Sequence, residues 1–306
     1  MMAPKKPLKL PLAVAEVDRA AHLRTDEAHL KSIWPTSNVM IFVNERFSTR
    51  QNQLLFTPGD LLGSYQSATD YFLGVKDNQT FFVRHLSEDI QSEYELKTLR
   101  EIGTFLSPRD IGLAVHAQGL ANWHQKHPMC SQCGGPTVVI SAGAVRKCLA
   151  DNSEHYPRTD GAIIVLVKDE TDRILLGRQK VWPKNRFSTF AGFVEPGESF
   201  ENCVIREVEE EAGVKLTQIN YLGSQPWPFP ASLMIAFEAV TNTPELARAD
   251  GEEIEEIRWF SRSDMKQAIL NNSLILPLEI SVARQMIKAW YGDAADTDLK
   301  GNESWR

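Results

Sequence analysis

The residues best suited to chemistry are glutamates that lie together in one short stretch, residues 192–214 (GFVEPGESFENCVIREVEEEAGV). Glu207, Glu210 and Glu211 are spaced i, i+3 and i+4, which places their carboxylates on one face of a helix. Like charges at this spacing cost roughly 0.2–0.5 kcal/mol per pair. A solvated acidic helix face is the simplest interpretation of such a run. A fold that also packs Glu198 beside them needs counter-charge, and hard divalent cations prefer carboxylate oxygens.

The flanking residues predict the element that positions these glutamates. Pro196–Gly197 is typical of a turn, Ser199 is a candidate helix N-cap, and Gly213 can end the helix. Arg206 lies inside this helix and supplies one positive charge to the cluster. The sequence therefore predicts a short acidic helix that follows a turn.

The spacing of the whole stretch decides between a solvated face and a functional site. Every fixed position of Gly-x5-Glu-x7-Arg-Glu-U-x-Glu-Glu-x-Gly-U, where U is aliphatic, is matched by Gly192, Glu198, Arg206, Glu207, Val208, Glu210, Glu211, Gly213 and Val214. A chance match has a probability on the order of 10⁻⁷. The stretch resembles the Nudix box. This resemblance implies hydrolysis of a nucleoside diphosphate linked to another group, with Mg²⁺ or Mn²⁺ on the glutamates and attack by water.

The Nudix resemblance also implies a role for each charged residue. Glu207 and Glu211 would be the principal metal ligands, and Glu210 a further ligand or the general base. Arg206 would orient Glu198. The metals would neutralise the diphosphate and lower the pKa of a bound water, while a carboxylate takes the proton.

A second motif, SQPWPFPAS at Ser224–Ser232, narrows the substrate. Its three prolines stiffen the backbone, and Trp227 and Phe229 offer aromatic faces to a base. In isolation this is a rigid loop that closes a core. After a Nudix box, it resembles the signature of the NADH pyrophosphatase family, which includes enzymes that remove NAD caps from RNA. We name Ser224–Ser232 the aromatic–proline loop.

Other stretches resemble the same family over about residues 100–290, whereas the first hundred residues are less diagnostic. They are Trp123, His124, His127 and Cys130, then HYPR at 155–158, LLGRQ at 175–179, AGFVEPGE at 191–198 and SVAR at 281–284. The resemblance implies substrate contacts by Tyr156, Phe193, Gln225, Pro226, Trp227, Pro228, Phe229, Pro230, Ala231, Ser232 and Ala283. Phe193 or Trp227 would stack on nicotinamide or adenine.

The family resemblance completes the metal site and names the reaction. The backbone carbonyl of Ala191 and a late glutamate would also reach the metals; Glu253 is the best match, with Glu252 and Glu255 as close rivals. The implied reaction converts NAD(H) and water to NMN(H) and AMP, in a homodimer whose subunits share each site. Two alternatives stay open: a Nudix hydrolase of another substrate such as ADP-ribose, and a retired nucleotide sensor or RNA-binding module. The intact set of glutamates argues against a catalytically inactive protein.

A third motif is an incomplete zinc site. Cys130-x2-Cys133 begins like a zinc knuckle, and Cys148 follows at a suitable distance. The family ribbon expects a fourth cysteine, but Asp151 stands at that spacing and His155 lies nearby. Three thiols with Asp or His could hold Zn²⁺, or the cysteines could simply pack in a hairpin. The remaining thiol, Cys203, is expected to be a small buried hydrophobe.

Composition limits the other functions. Hydrophobic residues make up 42% and charged residues 24% of 306, which is typical of a soluble globular protein. The net charge of −7 argues against a general nucleic-acid binder, although a site for one nucleotide end needs few cations. No signal peptide or membrane span is evident, so a cytoplasmic location is expected.

The pattern of strands and helices predicts an α+β protein. Strands are expected near Val39–Val43, Tyr71–Val75, Thr80–Val83, Ile163–Val167, Ile174–Leu176, Leu233–Ala239 and Ile257–Phe260, with helices from Pro108 and from about Glu279 to Trp290. We expect flexible tails at 1–10 and 292–306, an α+β N-terminal domain at 11–127 and a zinc-ribbon-like insert at 128–157. A Nudix domain at 158–291 would have a mixed sheet between helices.

Overall fold

The computed structural model describes residues 7–14, 16–87 and 94–300. They divide into two compact units. The N-terminal unit contains Leu12–Thr159 and, from later in the chain, Pro226–Ala231. The C-terminal unit contains the residues up to Pro11, Asp160–Gln225 and the residues from Ser232 onward. Among the described helices, none is both long enough and apolar enough to span a bilayer.

The N-terminal unit is built on one large sheet backed by a long helix. Its first elements are α1 Glu27–Ile33, β1 Asn38–Val43, β2 Arg46–Arg50, β3 Gln53–Leu54, β4 Thr57–Pro58, β5 Asp70–Lys76, β6 Gln79–Leu86, β7 Glu95–Thr98, α2 Leu99–Ile102 and α3 Pro108–Lys126. In its described part the sheet order is β3-β2-β1-β6-β5, with β4 beside β1 and β7 beside β2. The apolar side of α3 packs on this sheet and forms the core of the unit.

Local residue types explain where the elements of this unit begin and end. The turn between β5 and β6 has positive φ at Asp77 and Asn78, which is a conformation that these residue types tolerate. The Ser107 hydroxyl accepts the Asp110 amide at 3.2 Å and caps α3, with Pro108 in the first turn. Short polar side chains and proline set these boundaries locally, so the sequence alone is enough to find them.

A small three-stranded sheet follows, with order β10-β9-β8: β8 Thr137–Ile140, β9 Val145–Cys148 and β10 Glu154–His155. A buried polar network fixes it to α3. Nη1 of Arg146 on β9 lies 3.0 Å from Nδ1 of His124 on α3, and Nε2 of His124 lies 2.8 Å from the Gly143 carbonyl. The expected insert is therefore anchored through buried side chains as well as through the chain.

The C-terminal unit is a mixed sheet between helices, as expected for a Nudix fold. Its elements are β11 Asp160–Lys168, β12 Ile174–Gln179, β13 Phe190–Phe193, α4 Phe200–Ala212, β14 Leu216–Trp227, β15 Ser232–Thr241, β16 Ile254–Phe260, α5 Arg262–Leu270, α6 Val282–Tyr291 and α7 Ala295–Asp298. The sheet order is β14-β15-β11-β12-β16, with β13 beside β11. Strands β11 and β15 are parallel, whereas β12 is antiparallel to both of its neighbours.

Alternating residues of β11 separate two cores. Ile163 and Val165 pack with α4 on one face, while Ile164 and Leu166 pack with α5 and α6 on the other. This alternation follows from the two-residue period of a strand. Helix α4, which carries the glutamates, is thus packed against one face of the sheet.

Three expectations differ from the structure. Within the expected tails, Leu10 and Leu299 are buried in the C-terminal core, and the Leu8 amide donates to the Leu222 carbonyl at 2.7 Å. Isolated apolar residues in polar segments make these contacts, and period-based reasoning overlooks them. Helix α6 begins at Val282 rather than at Glu279, because the Ser281 hydroxyl accepts the Arg284 amide and caps it there. Residues 1–6 and 301–306 of the expected tails lie outside the described residues.

Candidate active site and zinc centre

Helix α4 presents its glutamates through ordinary capping and packing. The Ser199 hydroxyl accepts the Asn202 amide at 3.2 Å, and Gly213 ends the helix with φ 68°. Cys203 and Val208 are buried against the sheet, so Cys203 is the buried small residue that was expected. Burying this side of the helix turns the charged side toward β13.

A glycine makes room for the first glutamate. A Cβ atom on Gly192 of β13 would lie 1.8 Å from Oε1 of Glu207, which is far inside van der Waals contact. Only glycine lets the Glu207 carboxylate lie against the strand. The glycine that opens the Nudix box therefore has a steric role toward its central glutamate.

Arg206 is the hub of the cluster. Its Nε and Nη2 donate to both oxygens of Glu198, each at 2.9 Å, which is a bidentate pair. Its Nη1 donates to Glu207 at 2.8 Å and to Glu210 at 3.1 Å, and its Nη2 also reaches the Phe193 carbonyl. The bonds from Arg206 hold the pKa of Glu198 at about 2. Arg206 thus fixes the loop glutamate to the helix, as the Nudix resemblance implies.

Glu211 is the buried glutamate of the cluster, and within the described part of the chain no hydrogen bond offsets the burial of one of its carboxylate oxygens. It is only 4% exposed, and its Oε2 has no hydrogen-bond partner among the described residues. Burial, followed by the charges of Glu253 and Glu207, raises the pKa of Glu211 to about 9. A buried carboxylate without a partner carries a large desolvation penalty, which a cation bound at this oxygen would offset.

The late glutamate is held next to this group. Nε2 of Gln179 donates to Glu253 at 2.7 Å, and the carboxylate of Asp250 accepts the backbone amides of Glu252, Glu253 and Ile254. Of the two rivals, Glu255 is paired with Arg178. The charge of Glu253 raises the pKa of both Glu207 and Glu211, which places this late glutamate at the α4 cluster, and Gln179 and Asp250 position it.

Part of this cluster lines a cavity of about 480 Å³. Its wall includes Ala191 and Gly192 from β13, Arg206 and Glu207 from α4, Ser232 from β15, and Glu253. Phe193, which is 60% exposed, lies at the same wall with a free aromatic surface. A charged floor beside an exposed aromatic ring suits a nucleotide, whose phosphates and base need different surroundings.

The residues present fit a divalent metal. Glu211 has an unpartnered buried oxygen, and the Glu207 carboxylate lies against Gly192. Mg²⁺ and Mn²⁺ prefer such a set of oxygen donors. Repulsion among the glutamates adds to burial in raising the pKa of Glu207, against the effect of Arg206. Bound cations would remove this repulsion.

The remaining substrate residues fall into two groups. Gln225 and Ala283 are buried, and Nε2 of Gln225 donates to the Ile280 carbonyl, so their implied substrate contacts stay predictions. Within the N-terminal unit, Tyr156 is 64% exposed and donates to Glu154. Pro226–Ala231 of the aromatic–proline loop also belongs to that unit.

The zinc motif closes around an aspartate. The ligand atoms of Cys130, Cys133, Cys148 and Asp151 all lie within 4.8 Å of one another. Ser153 donates to Oδ1 of Asp151 at 2.8 and 2.6 Å, which leaves Oδ2 facing the Cys130 sulfur at 3.5 Å. His155 instead contacts Ser153 at 3.1 Å. Between the two candidates for the fourth ligand, the fold brings Asp151 to the thiols.

Comparison with known proteins finds three family models along the chain. Family models match a NADH pyrophosphatase-like rudimentary NUDIX domain at residues 18–123, a NADH pyrophosphatase zinc ribbon domain at 125–156 and a NUDIX domain at 157–277. The NAD-capped RNA hydrolase NudC of Mycobacterium bovis is 36% identical over 292 residues, covering 89% of this chain and 92% of its own. The chain belongs to the NADH pyrophosphatase family of Nudix hydrolases. The human NAD-capped RNA hydrolase NUDT12 is 36% identical over 197 residues, which is 60% of this chain and 42% of that protein.

Two residues that shape this Nudix site, Asp250 and Gln179, were not predicted from the sequence. Asp250 stands before Gly251, and an Asp-Gly pair signals a turn, which could have indicated a capped bend before Glu253. Gln179 lies in the LLGRQ stretch that resembles the family. Its contact with Glu253 joins β12 to the turn before β16 and is visible only in three dimensions.

Proposed function

We propose that this protein hydrolyses the diphosphate of NAD(H) to NMN(H) and AMP and also removes NAD caps from RNA 5′ ends. The relatives named as NAD-capped RNA hydrolases support this substrate class. The observation that carries the proposal is the complete carboxylate cluster of α4, in which Glu211 has an unpartnered buried oxygen and Glu207 lines a cavity of about 480 Å³.

The metal ligands we propose are Glu207, Glu210, Glu211, Glu253 and the carbonyl of Ala191. Bound Mg²⁺ or Mn²⁺ supplies charge neutralisation of the diphosphate and a water of lowered pKa. Arg206 holds Glu198 and Glu207 in register, so the carboxylates are placed before substrate arrives. The exposed Glu210 carboxylate is suited to accept the proton of the attacking water.

Base recognition is assigned to the aromatic residues. Phe193 presents its exposed face at the cavity wall, and stacking on a base needs such a face. Tyr156 and the aromatic–proline loop are further substrate contacts that the family resemblance implies. We propose a cytoplasmic homodimer in which the two subunits share each site.

For the zinc centre, we propose Zn²⁺ bound by Cys130, Cys133, Cys148 and Asp151. Backbone amides donate to each sulfur: Gln132 to Cys130, Gly135 to Cys133 and Ala150 to Cys148, at 3.3–3.4 Å. Amide donors to sulfur stabilise thiolates, the form that binds zinc. This centre is structural, because all four positions come from the protein.

Product analysis with three substrates at one fixed Mg²⁺ concentration tests the function. We expect NMNH and AMP from NADH, and NMN with 5′-monophosphate RNA from NAD-capped RNA. A parallel series with Mn²⁺ tests the metal. Faster cleavage of ADP-ribose than of both dinucleotide substrates would replace the proposal with the general Nudix alternative, and no cleavage of any substrate would favour a nucleotide sensor.

A further inference from the structure

Two buried amide side chains on α3 contact the aromatic–proline loop. Gln118 is 1% exposed and Asn122 is 3% exposed, and their spacing of four residues puts them on one helical face. Nε2 of Gln118 donates to the Pro228 carbonyl at 2.9 Å. Nδ2 of Asn122 donates to the carbonyls of Pro228 at 3.0 Å and Pro230 at 3.1 Å. One face of α3 therefore donates hydrogen bonds to the backbone carbonyls of two prolines of the loop.

The loop needs such donors because of its composition. Proline has no backbone N–H, so Pro226, Pro228 and Pro230 offer only acceptors and cannot donate to a strand ladder. An unmet buried carbonyl costs roughly 1–3 kcal/mol. A primary amide carries two N–H donors, and this suits a segment that is rich in carbonyls and poor in donors.

A third residue of the same unit holds the aromatic rings. The Arg100 guanidinium lies 4.4 Å from the ring centroid of Phe229 and 5.7 Å from that of Trp227. The two rings meet edge to face at 4.8 Å. Arg100, Gln118 and Asn122 thus contact both the rings and the backbone of the loop from elements of the N-terminal unit.

The cost of this arrangement argues that it serves more than stability. Oε1 of Gln118 is buried and has no partner among the described residues. A leucine of similar size would avoid that penalty, and Pro228 would still accept from Asn122. A residue that leaves the protein less stable than an apolar replacement would is expected where the chain needs one particular loop conformation.

We infer that Gln118 and Asn122 are positioning residues, and that the N-terminal unit sets the shape in which the aromatic–proline loop binds a substrate base. This inference rests on the proposed function, since the loop is taken to contact the dinucleotide. It gives the rudimentary N-terminal domain a part in substrate affinity that acts through the loop, since Gln118 and Asn122 hold the loop backbone.

The test compares Gln118→Leu, Asn122→Leu and the wild type, with Gln125→Leu as the matched control on the exposed side of the same helix. Each neutral hydrogen bond is worth about 2- to 10-fold in a binding constant. We expect KM for NADH to rise about fivefold in Gln118→Leu and about tenfold in Asn122→Leu. We expect kcat to stay within about twofold, because lost ground-state binding raises KM alone.

Hydrogen exchange of the loop peptide is the second measurement, and it needs no substrate. We expect faster exchange of the Trp227, Phe229 and Ala231 amides in both variants, an unchanged rate in Gln125→Leu, and a melting temperature of Gln118→Leu equal to or above that of the wild type. Unchanged KM and exchange in Gln118→Leu and Asn122→Leu would overturn the inference. A fall in melting temperature with unchanged KM would also overturn it, because that result describes a purely structural contact. An inactive wild type would refute the proposed function itself, before any variant is compared.

Discussion

Replacing Gly192 with alanine should abolish most activity while leaving the fold intact. The added Cβ would lie 1.8 Å from Oε1 of Glu207, whereas ordinary contacts begin at 3.4 Å, so the carboxylate must move by about 1.6 Å. A displacement of about 1 Å at a reacting group costs on the order of 100-fold in rate, or about 2.7 kcal/mol in the barrier. The obstacle is the end of a flexible side chain, so folding should change by only about 1 kcal/mol or less.

The assay is the rate of NADH hydrolysis at saturating metal, together with the melting temperature and Mn²⁺ affinity. Gly161→Ala on β11 is the matched control, because its Cβ would meet only Phe200 and Val194, both at 3.8 Å. We expect Gly192→Ala to lose at least about 100-fold in kcat and to bind Mn²⁺ more weakly, at an unchanged melting temperature. Activity within about threefold of the control would refute the steric argument.

Three further predictions follow from the other contacts. Asp151→Ala should lower the zinc content of the purified protein below that of His155→Ala, measured by elemental mass spectrometry; equal zinc in both variants contradicts the assignment. Burial lowers the pKa of His124 from 6.5 to about 4, so the unfolded chain takes up more protons as pH falls below 6.5. Between pH 7.5 and pH 5, the unfolding free energy of His124→Asn should therefore fall by about 2 kcal/mol less than that of the wild type. Denaturant titrations at both pH values measure this fall, and an equal fall in the two proteins would refute the prediction. Gln179→Leu should weaken Mn²⁺ binding about tenfold through Glu253, and unchanged calorimetric affinity would sink that role.

The parts of the site that sequence could predict are those with local causes. Ser199 and Gly213 bound α4 because capping depends on neighbouring backbone groups, and the glutamate spacing follows from helical geometry. The mixed sheet between helices was also predicted. In each of these cases the signal and the structure lie within a few residues of each other, or in a long motif.

The parts that sequence could not predict depend on contacts between distant segments. Spacing favoured Asp151 while ligand chemistry favoured His155, and in the structure Ser153 binds one oxygen of Asp151 and leaves the other facing the thiols. For Gln118 and Asn122 the sequence predicts only a position in a helix, because their hydrogen-bond partners lie more than a hundred residues away. Buried polar residues of this kind give no periodic signal.

The single measurement closest to the central claim compares wild type and Glu207→Gln for NADH cleavage at fixed Mg²⁺, with products separated chromatographically. The carboxylate cluster of α4 predicts NMNH and AMP in equal amounts from the wild type. It predicts a loss of at least about 100-fold in kcat for the variant, because removing a metal ligand withdraws several kcal/mol of transition-state stabilisation. Cleavage at near wild-type rate by Glu207→Gln would contradict a mechanism built on this helix.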